Sequence, residues 1–190
     1  RKAWEAAVPV YNALVLMKII NRPKEWYWVI LLFIPVVNLL IFPVLWVETI
    51  RSFGRSSRQE SILAIVTLGF YIYYVNYMLD VEYVVDRNTD PRSSTGEWVS
   101  SILFAVVAAT LVHTYIMQPF VIPSSSLEKT LLVGDFLFVS KFHYGARTPM
   151  TTVSVPMIHD AIPLTGIKSY LSGPQLPYYR FPGFQEIKRN

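Results

Sequence analysis

The chain has 190 residues, of which 53% are hydrophobic and only 16% charged, so it is richer in apolar side chains than an ordinary soluble domain. It contains no cysteine, which excludes disulfide bonds, thiolate zinc sites and a thiol nucleophile. The net charge is +4, but the 17 Lys and Arg form no basic run, which disfavours nucleic acid as a partner. The composition predicts a membrane protein whose chemistry uses oxygen or nitrogen nucleophiles.

Three segments without formal charge are long enough to cross a hydrocarbon core of about 30 Å, which takes about 20 helical residues. They are Trp26–Val47, Ser61–Leu79 and Trp98–Met117. Because the first contains Pro35, Asn38 and Pro43, it predicts either a span or a kinked, broken hairpin. The shorter run 6–20 predicts an interfacial or re-entrant helix rather than a span.

The positive charges suggest an orientation for these spans. The flanks 1–25 and 80–97 together carry seven Lys or Arg, against three in the segment 48–60. The positive-inside tendency therefore predicts that the two flanks are cytoplasmic and that the chain after Met117 emerges on the outer face. A re-entrant first span would invert this topology.

After Met117, proline and glycine recur between short apolar runs such as 136–139. This texture predicts strands joined by turns, and hence a mainly β domain from residue 118. Few residues after Gly145 could fill a core. We therefore expect this domain to continue beyond Asn190.

The segment 118–145 reads QPFVIPSSSLEKTLLVGDFLFVSKFHYG. The segment begins with an extended apolar stretch that ends at three serines. A strand beside a hydroxyl nucleophile suits a peptidase, because a peptide substrate can pair with it as a further strand. The local alternative is a capping box in which Ser125 and Glu128 begin a short helix. The local residues alone leave both interpretations open.

A longer pattern favours the peptidase. The run PSSSL at 123–127, followed by TL at 130–131 and GD at 134–135, resembles the P-S-x-S-M-x-P-T-L-x-x-G-D pattern of the bacterial type I signal peptidases. The similarity begins at Gln118, just after a predicted span, and continues to Gly145. Two residues depart from the pattern: Leu127 replaces Met, which preserves volume and apolarity, and Lys129 replaces Pro.

The resemblance implies roles for several residues. Ser126 would be the nucleophile, and the Ser124 hydroxyl would join the Ser126 backbone amide in stabilising the oxyanion. The shallow pockets for small side chains at positions −1 and −3 of a signal peptide would be lined by Phe120, Ile122, Pro123, Leu127 and Leu137. The resemblance implies neither a metal nor a cofactor.

The general base in this family is a lysine that burial keeps neutral. Lys129 forms an S-x-x-K spacing with Ser126, but the companion S-D-N and K-T-G motifs are missing and its neighbours are polar. For Lys141 a structural or surface role is preferred. Since the run 188–190 resembles the approach to the family's base lysine, we expect that lysine beyond residue 190 and expect residues 1–190 alone to be inactive.

The remaining polar residues offer weaker candidates. A Ser-His-Asp triad could use His143 or His159 with Asp135 or Asp160, but nothing in the spacing selects it. Both histidines are expected in surface or packing roles. Three dispersed histidines also make a metal site an unfavoured interpretation.

These observations predict a multi-pass α-helical membrane region followed by the first part of a mainly β, signal-peptidase-like catalytic domain. The chain divides into an N-terminal module (1–97), an anchor (98–117) and the catalytic part (118–190). The resemblance implies a serine endopeptidase of the bacterial cytoplasmic membrane, with its catalytic domain on the periplasmic face, that removes signal peptides from exported preproteins.

The expected partners are signal peptides and membrane lipid, with the protein export channel as a further candidate. The preferred role of the module 1–97 is to set depth and orientation, and partner binding is the alternative. The competing function is a non-catalytic membrane scaffold that carries an incomplete peptidase domain.

Overall fold

The computed structural model describes residues 4–85, 87, 93–186 and 188, except the side chain of Leu127. The chain divides into two compact units, residues 1–100 and residues 101–190. Seven α-helices occur in the described part: α1 Trp4–Ala7, α2 Pro9–Ile19, α3 Glu25–Phe33, α4 Val37–Ser52, α5 Arg58–Val66, α6 Tyr71–Met78 and α7 Ser94–Leu111.

The first predicted span is a broken hairpin rather than one helix. Helices α3 and α4 are separated at Ile34, which has extended backbone (φ −83°, ψ 118°), and at Val36, where φ is +69°. Pro35 between them lacks the N–H that a continuing helix would need. The alternative that the prolines suggested is therefore confirmed, and one continuous helix over 26–47 is wrong.

The second predicted span is also divided. Helices α5 and α6 are nine and eight residues long and are separated by a turn in which φ is +51° at Leu68 and +84° at Gly69. A β-carbon at Gly69 would lie 2.7 Å from the indole nitrogen of Trp46, so glycine permits α4 to approach this turn. A multi-pass arrangement is thus not confirmed and remains a prediction.

The first unit has a packed core. Helix α4 contacts α3, α5 and α6, and its residue Ile50 is fully buried with Ala64 of α5 and Val75 of α6. Met17 and Ile20 form a second buried group at the end of α2. Apolar packing between short helices therefore maintains this unit.

The third predicted span is confirmed as a helix. Helix α7 continues into a π-helix, Val112–Ile116. Together they form the only helix, among the described residues, that is long and apolar enough to cross a membrane. At 23 residues it extends about 35 Å at the α-helical rise, enough for a hydrocarbon core.

From residue 117 onward, the described part of the second unit is β-like. Strands β1 (Met117–Val121) and β2 (Phe136–Ser140) form an antiparallel pair with Phe120 opposite Leu137. Beyond them, isolated bridges join residues 147, 151, 154 and 161 to residues 180, 175, 170 and 168. Among the described residues from 117 onward, no hydrophobic side chain is buried. The expectation that few residues here fill a core is confirmed.

Candidate active site

A clamped loop carries the three serines. The Ile122 N–H donates to the Asp135 carbonyl at 3.0 Å, and the Gly134 N–H donates to the Ile122 carbonyl at 3.0 Å. These bonds extend the β1–β2 pairing to the base of the loop 123–133. The serine segment is therefore held at both ends by backbone pairing.

The Gly-Asp pair at the end of the sequence pattern forms the turn that leads into β2. Gly134 has φ +95°, a conformation that glycine adopts without steric cost. The Asp135 carboxylate accepts a hydrogen bond from the Leu132 N–H at 2.8 Å, which closes the turn. Both residues shape the return of the chain into β2.

Two of the serine hydroxyls meet. Ser124 has extended backbone and precedes a 3-10 turn, Ser125–Leu127, which places the Ser124 and Ser126 Oγ atoms 3.3 Å apart. Both side chains are exposed. The capping box of Ser125 and Glu128 does not form, because the turn begins one residue earlier than that box requires and Ser124 makes no cap bond.

The predicted pocket residues gather on one face of the hairpin. Directly opposed residues of an antiparallel pair share a face, and residues two apart along a strand do as well. Phe120, Ile122 and Leu137 therefore lie on the same side of the sheet, while Pro123 follows at its edge. The side chain of Leu127 lies outside the described part of the chain, so its predicted lining role stays a prediction.

Lys141 has a structural position. Its Nζ donates to the carbonyls of His113 and Thr114 at 2.7 and 3.1 Å and to Gln118 Oε1 at 2.9 Å. Burial lowers the pKa of Lys141, and the positive charge of Arg147 adds to the effect. The amine joins the end of β2 to the π-helix. These bonds agree with the structural role that the sequence favoured for Lys141. Nothing in the sequence indicated which three oxygens would accept them.

No second catalytic group bonds to the serines in the described part of the chain. Lys129 is exposed, and no hydrogen bond joins it to Ser126 in this part of the chain. The Nδ1 atom of His143 lies 3.0 Å from Ser140 Oγ, and Asp135 is engaged by Leu132. The triad alternative therefore finds no support in the geometry of Ser126.

In comparisons with known sequences, the two parts of the chain match different families. Residues 4–86 match a family of unknown function (DUF5684). Residues 95–162 match the family described as signal peptidase, peptidase S26. The second match includes α7, the β hairpin and all three serines.

The curated relatives that the chain resembles are bacterial enzymes named signal peptidase I. The chain is 43% identical to that of Haemophilus influenzae over 61 residues, which covers 32% of this chain and 18% of the relative. It is 38% identical to that of Pseudomonas aeruginosa over 82 residues, or 42% and 27% of the two chains. For Aquifex aeolicus the identity is 49% over 49 residues, or 25% and 19%.

These alignments cover less than a third of each relative's length. No solved structure matches the chain significantly. The resemblance to the type I signal peptidases is thus shown for the segment that carries the serine loop.

Proposed function

From the relationship of residues 95–162 to the signal peptidase family, we propose that the protein is a membrane-bound serine endopeptidase that removes signal peptides from exported preproteins. The observation that carries the proposal is the pair of exposed hydroxyls, Ser124 and Ser126, in a clamped loop directly after a candidate membrane span. In this proposal Ser126 is the nucleophile.

The chemistry assigns each hydroxyl a step. Ser126 Oγ attacks the carbonyl carbon of the small residue at position −1, the amide bond to the next residue breaks, and the mature protein leaves as the acyl-enzyme forms. Water then hydrolyses the ester and frees the signal peptide. The Ser124 hydroxyl, 3.3 Å from Ser126 Oγ, would turn to donate to the oxyanion together with the Ser126 backbone N–H.

The hairpin offers a place for the substrate. A signal peptide bound in extended form would lie along the face that carries Phe120, Ile122 and Leu137, with Pro123 and Leu127 completing its shallow pockets. Such a surface selects small side chains by shape. The proposed specificity therefore comes from apolar contacts rather than from charge.

The general base in this proposal is a lysine outside the described residues. Lys129 is exposed, whereas a lysine that serves as a general base requires burial. Lys141 donates to three oxygens on the far end of the hairpin from the serine loop. Neither amine is therefore assigned to activate Ser126.

The position of the loop suits a scissile bond near a membrane. Ser126 lies only nine positions after Met117, which follows the candidate span. The hairpin face opposite to the proposed pockets presents Phe136 and Phe138, which are 78% and 74% exposed. We propose that the serine loop lies on the periplasmic face of the bacterial cytoplasmic membrane.

The test uses the complete gene product and a preprotein substrate. Ser126→Ala should abolish cleavage, since Ser126 is the proposed nucleophile, whereas the matched Ser125→Ala should retain most of it. Full activity in Ser126→Ala would sink the proposal. Processing in cells and with purified enzyme should agree.

A non-catalytic scaffold remains the second candidate, favoured by the absence of a base beside Ser126 among the described residues. It predicts that Ser126→Ala cells keep the protein's cellular role. Deletion of residues 1–97 tests the preferred role of that module in setting depth and orientation. If cleavage in cells is unchanged, an essential contact of the module with the export channel is excluded.

A further inference from the structure

The first unit contains a cluster of charges inside an otherwise apolar fold. Glu48 of α4 has a side chain only 8% exposed and meets three arginines. Arg22 Nη2 lies 3.1 Å from Glu48 Oε2, Arg51 Nη1 lies 3.6 Å from Oε1, and Arg87 also pairs with Oε2. We call these four residues the Glu48 cluster.

The charges of the cluster do not balance. Among the described residues, three guanidinium groups surround one carboxylate, which gives these four residues a net charge of +2. Like charges held around one carboxylate repel one another. The described residues of the cluster would therefore be stabilised by a further anion.

The hydrogen-bond donors are also in excess. The Nε atoms of Arg22, Arg51 and Arg87 are buried without an acceptor, and the Arg87 side chain is 94% buried, since only 6% is exposed. Arg87 Nη2 donates to the carbonyl of Ile20, the residue at the C-terminal cap of α2. Among the described residues, the cluster therefore has more donors than acceptors.

Two of the three arginines can be reached from solvent. The side chains of Arg22 and Arg51 are 20% and 41% exposed, whereas Arg87 is enclosed. A planar guanidinium fork matches the oxygens of a phosphate group in two parallel hydrogen bonds. Arg22 and Arg51 could hold such a group from outside while Arg87 and Glu48 hold the two arginines together.

We propose that the Glu48 cluster is a binding site for a phosphate group, carried by the headgroup of a membrane phospholipid. Arg87 precedes Ser94, where the candidate span begins, by seven residues, which places the cluster within about 25 Å of the end of that helix. Large apolar side chains of the same unit, such as Phe70 and Tyr77, are more than 70% exposed and suit acyl chains.

The test compares ligands on the full-length protein in neutral detergent. Phosphatidylglycerol should bind, as read by native mass spectrometry and by a rise in melting temperature. Diacylglycerol with the same acyl chains, which lacks phosphate, should not. Equal binding of the two lipids overturns the proposal, because it shows that only the acyl chains are recognised.

Variants then locate the site. Arg51→Gln and the double variant Arg22→Gln/Arg51→Gln should raise the dissociation constant for phosphatidylglycerol at least tenfold. Arg58→Gln, which changes an exposed arginine at the start of α5, should leave it unchanged. Since Arg51 is partly exposed, the single variant is expected to fold even if the double variant does not. Unchanged affinity in Arg51→Gln contradicts the assignment.

A competition arm separates the two sources of phosphate. If the site takes a lipid headgroup, inorganic phosphate at millimolar concentration should not displace phosphatidylglycerol. If inorganic phosphate displaces the lipid and stabilises the protein alone, with loss of both effects in Arg51→Gln, the phosphate site stands but the lipid source is wrong. None of these readouts depends on peptidase activity.

Discussion

The two units of the molecule differ in how their structure is maintained. In the first, Met17, Val37 and Ile50 are fully buried, and short helices pack around them. In the described part of the second from residue 117 onward, every hydrophobic side chain keeps some exposure, and backbone pairing with a few polar bonds defines the shape. Since the serine loop lies in the loosely packed unit, stability and catalysis should respond to different substitutions.

The largest expected effect is on the stability of the first unit. Ile50→Ala removes a fully buried side chain and should lower the free energy of unfolding by about 2–5 kcal/mol. The matched Phe138→Ala in the second unit, at a side chain that is 74% exposed, should change it by less than about 0.5 kcal/mol. Denaturant titration of the full-length protein measures both. Similar losses in the two variants would contradict the contrast between the units.

The next effect is on catalysis alone. Ser124→Ala should lower kcat by about 10²–10³, the usual loss for one oxyanion donor, while the melting temperature stays constant because the hydroxyl is exposed. Preprotein cleavage under saturating substrate measures kcat, and Ser125→Ala is the control. A change in KM without a change in kcat would mean that Ser124 binds the substrate rather than the oxyanion.

A glycine pair tests the division of the second predicted span. Gly69→Ala should cost about 2–3 kcal/mol, since a β-carbon there combines φ +84° with contacts under 3 Å to Trp46. Gly54→Ala has a similar φ of +77° but open space, so only backbone strain of about 1 kcal/mol is expected. Equal costs, measured by thermal or denaturant unfolding, would show that Trp46 does not restrict this turn.

The smallest expected effect concerns Lys141. Lys141→Met removes three hydrogen bonds between β2 and the segment 113–118, but the amine is partly solvated, so a loss of about 1 kcal/mol is expected. Hydrogen exchange at the β1 amides should increase. The exposed Lys129→Met is the matched control and should leave exchange unchanged. If Lys141→Met instead eliminates cleavage while exchange stays the same, the amine has a catalytic role.

Much of the candidate site could be predicted from sequence because its signals are local. The apolar run after Trp98 gave a helix at the predicted place, and the turn chemistry of Gly134 and Asp135 marks the return into β2. The broken helices were harder to predict. A proline or glycine in an apolar run allows either a kink or a break, and packing decides between them, as Trp46 against Gly69 illustrates.

Sequence by itself determined an apolar composition, the segment related to signal peptidases and the serines to which the proposed function assigns the chemistry. These properties follow from residue types and short spacings, which the chain carries in any conformation. The Glu48 cluster was decided only by tertiary structure, because Arg22 and Arg87 lie 26 and 39 residues from Glu48 along the chain. The hydrogen bonds of Lys141 to the segment 113–118 were also decided only by tertiary structure. Contacts between residues distant in sequence arise only from the way the helices and strands pack.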